Sequence, residues 1–79
     1  MGEPRRAKVR LDERRAFGVR LRELREARGM TQEDLADAAG LARPVVGYIE
    51  RASRDFGVSH LFDLAAALDV PVSELFEDH

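Results

Sequence analysis

Residues 32–51, QEDLADAAGLARPVVGYIER, decide the fold. Counted from Gln32, a small Ala36 stands fifth, Gly40 ninth, Leu41 tenth, and the apolar pair Val46 and Ile49 fifteenth and eighteenth. Ala36 lets its helix approach a neighbour closely, and Gly40 can take the left-handed conformation that ends a helix and starts a sharp turn. Val46 and Ile49, three apart, pin the following helix to a core by one face and leave the opposite face free. Two short helices about a glycine turn, the second exposed along one side, have the spacing of a helix-turn-helix, which presents a helix to the DNA major groove.

The pattern extends in both directions. Phe17, Leu21, Leu24 and Arg28 recur at four, three and four residues along one stripe of a first helix. That helix is expected to begin near Asp12, which with Glu13 suits a helix N-terminus, and to end at Gly29. Thr31 is an N-cap for the second helix, with Asp34 in an approximate capping-box position and Leu35, Ala36 and Ala39 facing inward. The third helix starts near Ala42 or Arg43, because Pro44 is tolerated only in a first turn that has no donor to lose. On its wheel Ala42, Val45, Val46 and Ile49 group on the core side, while Pro44, Gly47, Tyr48 and Arg51 group on the other with Arg43 at the leading edge. A fourth helix from about Val58 to Leu68 turns Val58, Leu61, Leu64, Ala65 and Leu68 to the core. A short fifth helix, holding Leu75 and Phe76, follows the turn at Asp69 to Pro71. With no strand-like alternation and no repeat, the chain reads as an all-α domain of five short helices over residues 12–79. Residues 1–11, broken by Gly2 and Pro4 and dominated by charge, read as a flexible basic arm.

Composition narrows the function. At 79 residues burial is marginal, and an oligomer is a common supplement. The absence of cysteine excludes disulfides, cysteine zinc sites and thiol catalysis, in keeping with a cytoplasmic location. There is no long apolar run, so no membrane partner is expected. The net charge of -2 conceals a division: up to Arg28 there are 10 Lys or Arg against 5 Asp or Glu, net +5, and from Gly29 onward 3 against 10, net -7. The basic arm and first helix can supply phosphate affinity while the acidic remainder faces away; alternatively RRAKVRLDERR is only a solvated terminus.

The fourth helix has more apolar surface than one core face can use. Phe62 and Ala66 lie on a flank roughly 100° from Leu61. With Leu75 or Phe76 they form the expected homodimer interface, unless the fifth helix folds back and covers them. Enzymatic readings find little support. His60 and His79 are the only histidines, in no metal-binding spacing, and Glu33, Asp37 and Asp34 form a solvated outer face of the second helix. No phosphate-binding glycine loop or paired nucleophile is present, so no catalytic residue, metal or cofactor is expected, and the small size argues against an internal small-molecule effector site.

Three stretches, LRELREARGMTQEDLADAAGL (21–41), VVGYIER (45–51) and LAAALDVPVSELF (64–76), carry a resemblance to the Cro/cI-type helix-turn-helix (XRE-family) DNA-binding domains of phage repressors and bacterial regulators. The resemblance spans about residues 16–76 and implies a lambda-repressor-like fold, with double-stranded DNA and a second copy of the chain as partners. Members of this size include Cro-like repressors and the controller proteins of restriction-modification systems, and GMTQEDLA with ERASR resembles the latter. Ala42 departs from the usual Ser or Thr, removing an N-cap hydroxyl worth about 0.5–2 kcal/mol. Asp55-Phe56-Gly57 stands where Asn-Pro-Ser or Asn-Leu-Thr is common, and Asp55 would repel a phosphate.

At the N-terminal end of a recognition helix, Arg43 is the expected base reader, able to bond guanine O6 and N7 for about 1–3 kcal/mol of discrimination; the alternative is a phosphate contact. Beside it Pro44 can pack on a thymine methyl, Gly47 permits close approach, and Tyr48 can reach phosphate or sugar. The resemblance implies phosphate contacts from Gln32 at the start of the second helix, beside the capping Thr31, and from Arg51, Ser53 and Arg54. Arg25 and Glu50 each lie about 40° off the apolar centre of their helices, so they can meet. The resemblance implies that they do, as an ion pair orienting the recognition helix. The competing function is a protein-interaction or antitoxin-like module that reuses the fold: Arg43, Gln32 and the arm point to DNA, whereas Pro44, Gly47 and Asp55 leave room for the module.

Overall fold

Helix α1 (Glu3–Ala27) lays Phe17, Leu21 and Leu24 into a core shared with α2 (Gln32–Ala39), α3 (Pro44–Glu50), α4 (Val58–Leu68) and a 3-10 helix, Val72–Phe76. The computed structural model describes the backbone of residues 3–76 and the side chains of residues 11–76. Among these residues there are four α-helices and no strand. The expected fifth α-helix is instead the 3-10 segment: five residues after Pro71 are too few to repay α-helical nucleation, and Glu74 N–H closes a tighter turn on the Pro71 carbonyl at 3.0 Å.

Helix α1 begins well before Asp12. Pro4 falls in its first turn, where the ring costs no hydrogen bond, and the Arg, Lys and Leu that follow are good helix formers. The side chains of the expected basic arm lie outside the described residues as far as Arg10. Gly29 and Gly40 end α1 and α2 with φ of 67° and 70°, the left-handed conformation required of them. Thr31 and Asp34 complete a capping box: Thr31 Oγ1 accepts from Asp34 N–H at 3.0 Å, and Asp34 Oδ2 accepts from Thr31 N–H at 2.9 Å. The bond from the Thr31 backbone, and then that with its side chain, hold the Asp34 carboxyl below its ordinary pKa.

The largest fully buried side chains are Leu21, Leu35, Val46, Ile49, Leu64, Leu68 and Leu75. Leu75 is therefore a core residue and not part of a surface for a second copy. Val58, expected in the core, is 66% exposed. It occupies the first turn of α4, and at that end Phe56 packs on the core instead, stacked on Phe17 at 4.9 Å between centroids. Phe76 lies on the same ring at 5.3 Å, and Arg20 Nε donates to the Glu74 carbonyl at 3.1 Å, so α1 also anchors the 3-10 helix.

Gly18 lets α1 lie close against the end of α3. A Cβ there would stand 2.5 Å from the Glu50 carbonyl oxygen and 2.7 Å from that of Ile49. Backbone cannot yield as a flexible side chain can, so α1 would have to lift from α3. Gly18→Ala should lower unfolding free energy by about 1–3 kcal/mol in urea titrations despite the gain in helix propensity.

The capping box has its own pH signature. A carboxyl with a lowered pKa contributes stability above its unfolded value and loses it as pH falls through the lower folded value. Hydrogen exchange at the Asp34 amide should therefore show protection, relative to the core amides, that falls across the acid range. An Asp34→Asn variant should show no such acid-dependent step.

Candidate nucleic-acid interface

Glu50, the last residue of α3, is bonded from two sides. Arg25 donates from Nε to Glu50 Oε2 at 2.7 Å and from Nη2 to Oε1 at 3.1 Å, while Gln32 Nε2 donates to the same Oε1 at 3.0 Å. Arg25 Nη1 donates to the Met30 carbonyl at 2.7 Å. One buried guanidinium thus joins α1, the α1–α2 turn and the end of α3, and Gln32 adds the start of α2. The side chains of Arg25 and Glu50 are only 10% and 5% exposed, and the hydrogen bond to Glu50 raises the Arg25 pKa against the opposing effect of burial. The expected ion pair is present. The part played by Gln32 was not evident in the sequence, because a residue at the first position of a helix reads equally well as a solvent-facing donor.

Helix α3 turns Val45, Val46 and Ile49 inward. Gly47 is also buried, which differs from the open position expected of it. A Cβ on Gly47 would meet Arg51 Nη1 at 3.0 Å and Gln32 Oε1 at 3.2 Å, so these two side chains roof the glycine. Its missing side chain makes room for them, and direct approach of DNA to its backbone would require them to move.

Around this roof lies an open concavity of about 540 Å³ whose walls include Pro44, Tyr48, Arg51, Ser53 and Arg54. The Arg54 guanidinium stands 5.5 Å from the centre of the Tyr48 ring, and Ser53 Oγ donates to the Tyr48 carbonyl at 3.3 Å. The structure therefore gathers the expected contact residues from α3 and the following loop into one surface. Ala52, with φ of 54°, turns the chain at the end of α3. Thr31 Oγ accepts the capping bond and retains a hydroxyl hydrogen to donate.

Arg43 is exposed at the N-cap of α3, but its guanidinium is held. Nη1 donates to Glu33 Oε2 at 3.0 Å and Nη2 to Asp37 Oδ2 at 3.5 Å. These carboxylates lie on the solvated face expected of them and also pair with Arg43; the available signal for the pairing is their spacing of four residues on α2. Asp55 is similarly placed 3.7 Å from Arg14 Nη1. His60 accepts from the Gly57 N–H through Nδ1 at 3.2 Å, folding its side chain back on the residue that precedes α4. Among the described residues no cluster of three or more His, Cys, Asp or Glu could hold a metal, and no helix is long and apolar enough to cross a membrane.

Away from α3, Phe62 on α4 and Phe76 on the 3-10 helix are each 60% exposed, and Ala66 is exposed one turn after Phe62. The 3-10 helix does not cover Phe62. Val58, one turn before Phe62, extends the same apolar flank.

A helix-turn-helix family profile matches residues 21–75. The chain belongs to this helix-turn-helix family. It is 34% identical over 65 residues to control protein C.SmaI of Serratia marcescens, covering 82% of this chain and 77% of that one. It is 36% identical over 61 residues to an uncharacterised HTH-type transcriptional regulator of Sinorhizobium medicae; that match takes in 77% of the chain but spans only 44% of the longer relative. In structure it is similar to the restriction-modification controller protein C.AhdI from Aeromonas hydrophila, with a TM-score of 0.80, 46% identity, and coverage of 82% of this chain and 98% of that one.

Removing one partner of the buried pair leaves the other charge dry and unpaired. Arg25→Met or Glu50→Gln alone should cost about 3–5 kcal/mol, and the double variant less than the sum. A denaturant double-mutant cycle checks this, and strictly additive losses would show that the two charges are energetically independent.

Proposed function

We propose that this helix-turn-helix protein is a sequence-specific DNA-binding transcriptional regulator of the restriction-modification controller type, binding an inverted repeat as a homodimer. The observation that carries the reading is the outer face of α3. Pro44, Tyr48, Arg51 and Arg54 line one concavity, Arg43 is exposed at the N-cap of α3 next to Pro44, and a buried network holds α3 against its neighbours. Arg43 reads a guanine. Pro44 and Tyr48 complete the base-facing edge, with Gly47 beneath the Gln32 and Arg51 side chains. Gln32, Thr31, Arg51, Ser53 and Arg54 position the domain on phosphates, and the basic amino-terminal part of α1 adds phosphate affinity. Similarity to C.SmaI and C.AhdI supports the controller assignment.

Dimerisation follows from how little DNA one such helix can read. Two recognition helices about 34–36 Å apart meet successive turns of one DNA face, so two-fold symmetry supplies the missing specificity. Phe62, Ala66 and Phe76, with Val58, provide the apolar patch. The second reading, an interaction module, is favoured by one observation: Arg43 is already paired with carboxylates of its own chain.

Binding to the DNA upstream of the protein's own gene should be tight at low salt and weaken steeply at moderate salt in an anisotropy titration, as counterions are released. Arg43→Ala should remove about 1–3 kcal/mol of specific affinity and relax one base position in each half-site. Binding to no upstream fragment at any salt would favour the interaction module. For assembly, Phe62→Glu should give a folded monomer in analytical ultracentrifugation that keeps only weak, non-cooperative DNA binding. A wild-type chain that stays monomeric at high micromolar concentration and on DNA would exclude the dimer.

A further inference from the structure

We infer that Glu33 and Asp37 are positioning residues for Arg43, holding its guanidinium so that it favours the neutral edge of a base over an anionic phosphate. The inference rests on the proposed DNA-binding reading and deepens it.

The two carboxylates lie four residues apart on α2, and Arg43 reaches both across the turn, at 3.0 and 3.5 Å. All three side chains are more than half exposed, at 64% for Arg43, 65% for Glu33 and 58% for Asp37, so this cluster contributes little to folding. Its position gives it another consequence. Arg43 begins the helix proposed to enter the major groove, and the two acids stand beside it on the same rim.

A guanidinium has five N–H donors. Glu33 engages one on Nη1 and Asp37 one on Nη2, which leaves three, including Nε–H, for an outside acceptor. Arg43 can therefore bond a base without first giving up both carboxylates. The acceptor's charge then decides. Guanine O6 and N7 are neutral acceptors, whereas a phosphate oxygen carries a charge repelled by a cluster whose own net charge is -1. The carboxylates restrict the long side chain to one place and make nonspecific backbone contact less favourable, a device that improves discrimination by weakening the wrong interaction.

The test combines Glu33→Gln and Asp37→Asn, isosteric changes that remove both charges, in the full chain with Arg43 present and again with Arg43→Ala. Affinities are measured for the upstream operator fragment and for a scrambled duplex at one fixed salt. With Arg43 present, scrambled-DNA affinity should rise more than operator affinity, lowering the ratio by about three- to tenfold. With Arg43→Ala, both affinities should rise by the same factor and the ratio should stay constant. A ratio unchanged when Arg43 is present, or falling equally without it, would overturn the inference. In the free protein, nitrogen-15 spectra should show slowed rotation of the Arg43 guanidinium that is lost in the Gln/Asn variant; a freely rotating wild-type guanidinium would overturn the positioning role even where DNA binding is normal. Failure of the wild type to bind any DNA would overturn the DNA-binding reading itself, and this inference with it.

Discussion

The bidentate bond between Arg25 and Glu50 is the interaction on which the rest of the molecule depends. Helix α3 is seven residues long, far below the length at which a helix is stable alone, and no side chain caps its N-terminus. Its existence and direction therefore come from its surroundings. Val46 and Ile49 fix its depth in the core, but apolar contacts are nondirectional and permit rotation. A carboxylate that accepts from Nε and Nη2 of one guanidinium, and from a third nitrogen on α2, restricts that rotation. Burying these charges costs desolvation, which the pairing offsets only with good geometry. The network consequently makes a stronger contribution to where α3 points than to how much free energy folding releases.

That constraint explains why the recognition surface is partly legible in the sequence and partly not. The turn glycines, the Thr31–Asp34 box, the Pro44 start and the inward stripe are local rules, written in residues at most four apart. The structure follows them, except that Ala42, grouped with the core side of α3, is exposed ahead of the helix, as Val58 is at the start of α4. Arg25 and Glu50 are far apart in sequence, and their meeting was expected from family resemblance added to helical geometry. The roofing of Gly47 by Gln32 and Arg51 depends on three elements converging, so a helical wheel shows Gly47 only as an outward position. The same holds for Arg43: periodicity places it at the exposed edge and says nothing about acids across a turn. Val58 and Leu75 exchange their expected environments because the chain ends of short helices are governed by what packs beside them.

The segment Asp55-Phe56-Gly57, which departs from the pattern common in the family, acquires a physical role. Asp55 approaches Arg14 and Phe56 stacks on Phe17, so the loop after α3 is docked on α1. Phe17 also carries Phe76 on its ring. A single aromatic residue of α1 therefore supports both the loop that leaves the proposed DNA face and the end of the proposed dimer face. The two surfaces share one support, which suits the proposed dimer, in which the spacing of the half-sites would have to be held constant.

The third bond of Arg25, to the Met30 carbonyl, has a consequence for how the molecule comes apart. The same guanidinium holds the α1–α2 turn through Nη1 and the end of α3 through Nε and Nη2, so detaching α3 would leave Arg25 a buried charge without its carboxylate. Local opening of α3 on its own therefore carries the cost of an unpaired buried charge. Exchange at its core amides, Val46 and Ile49, should lie nearer to global unfolding than to fraying, and a protease would meet few chains in which α3 alone has come away.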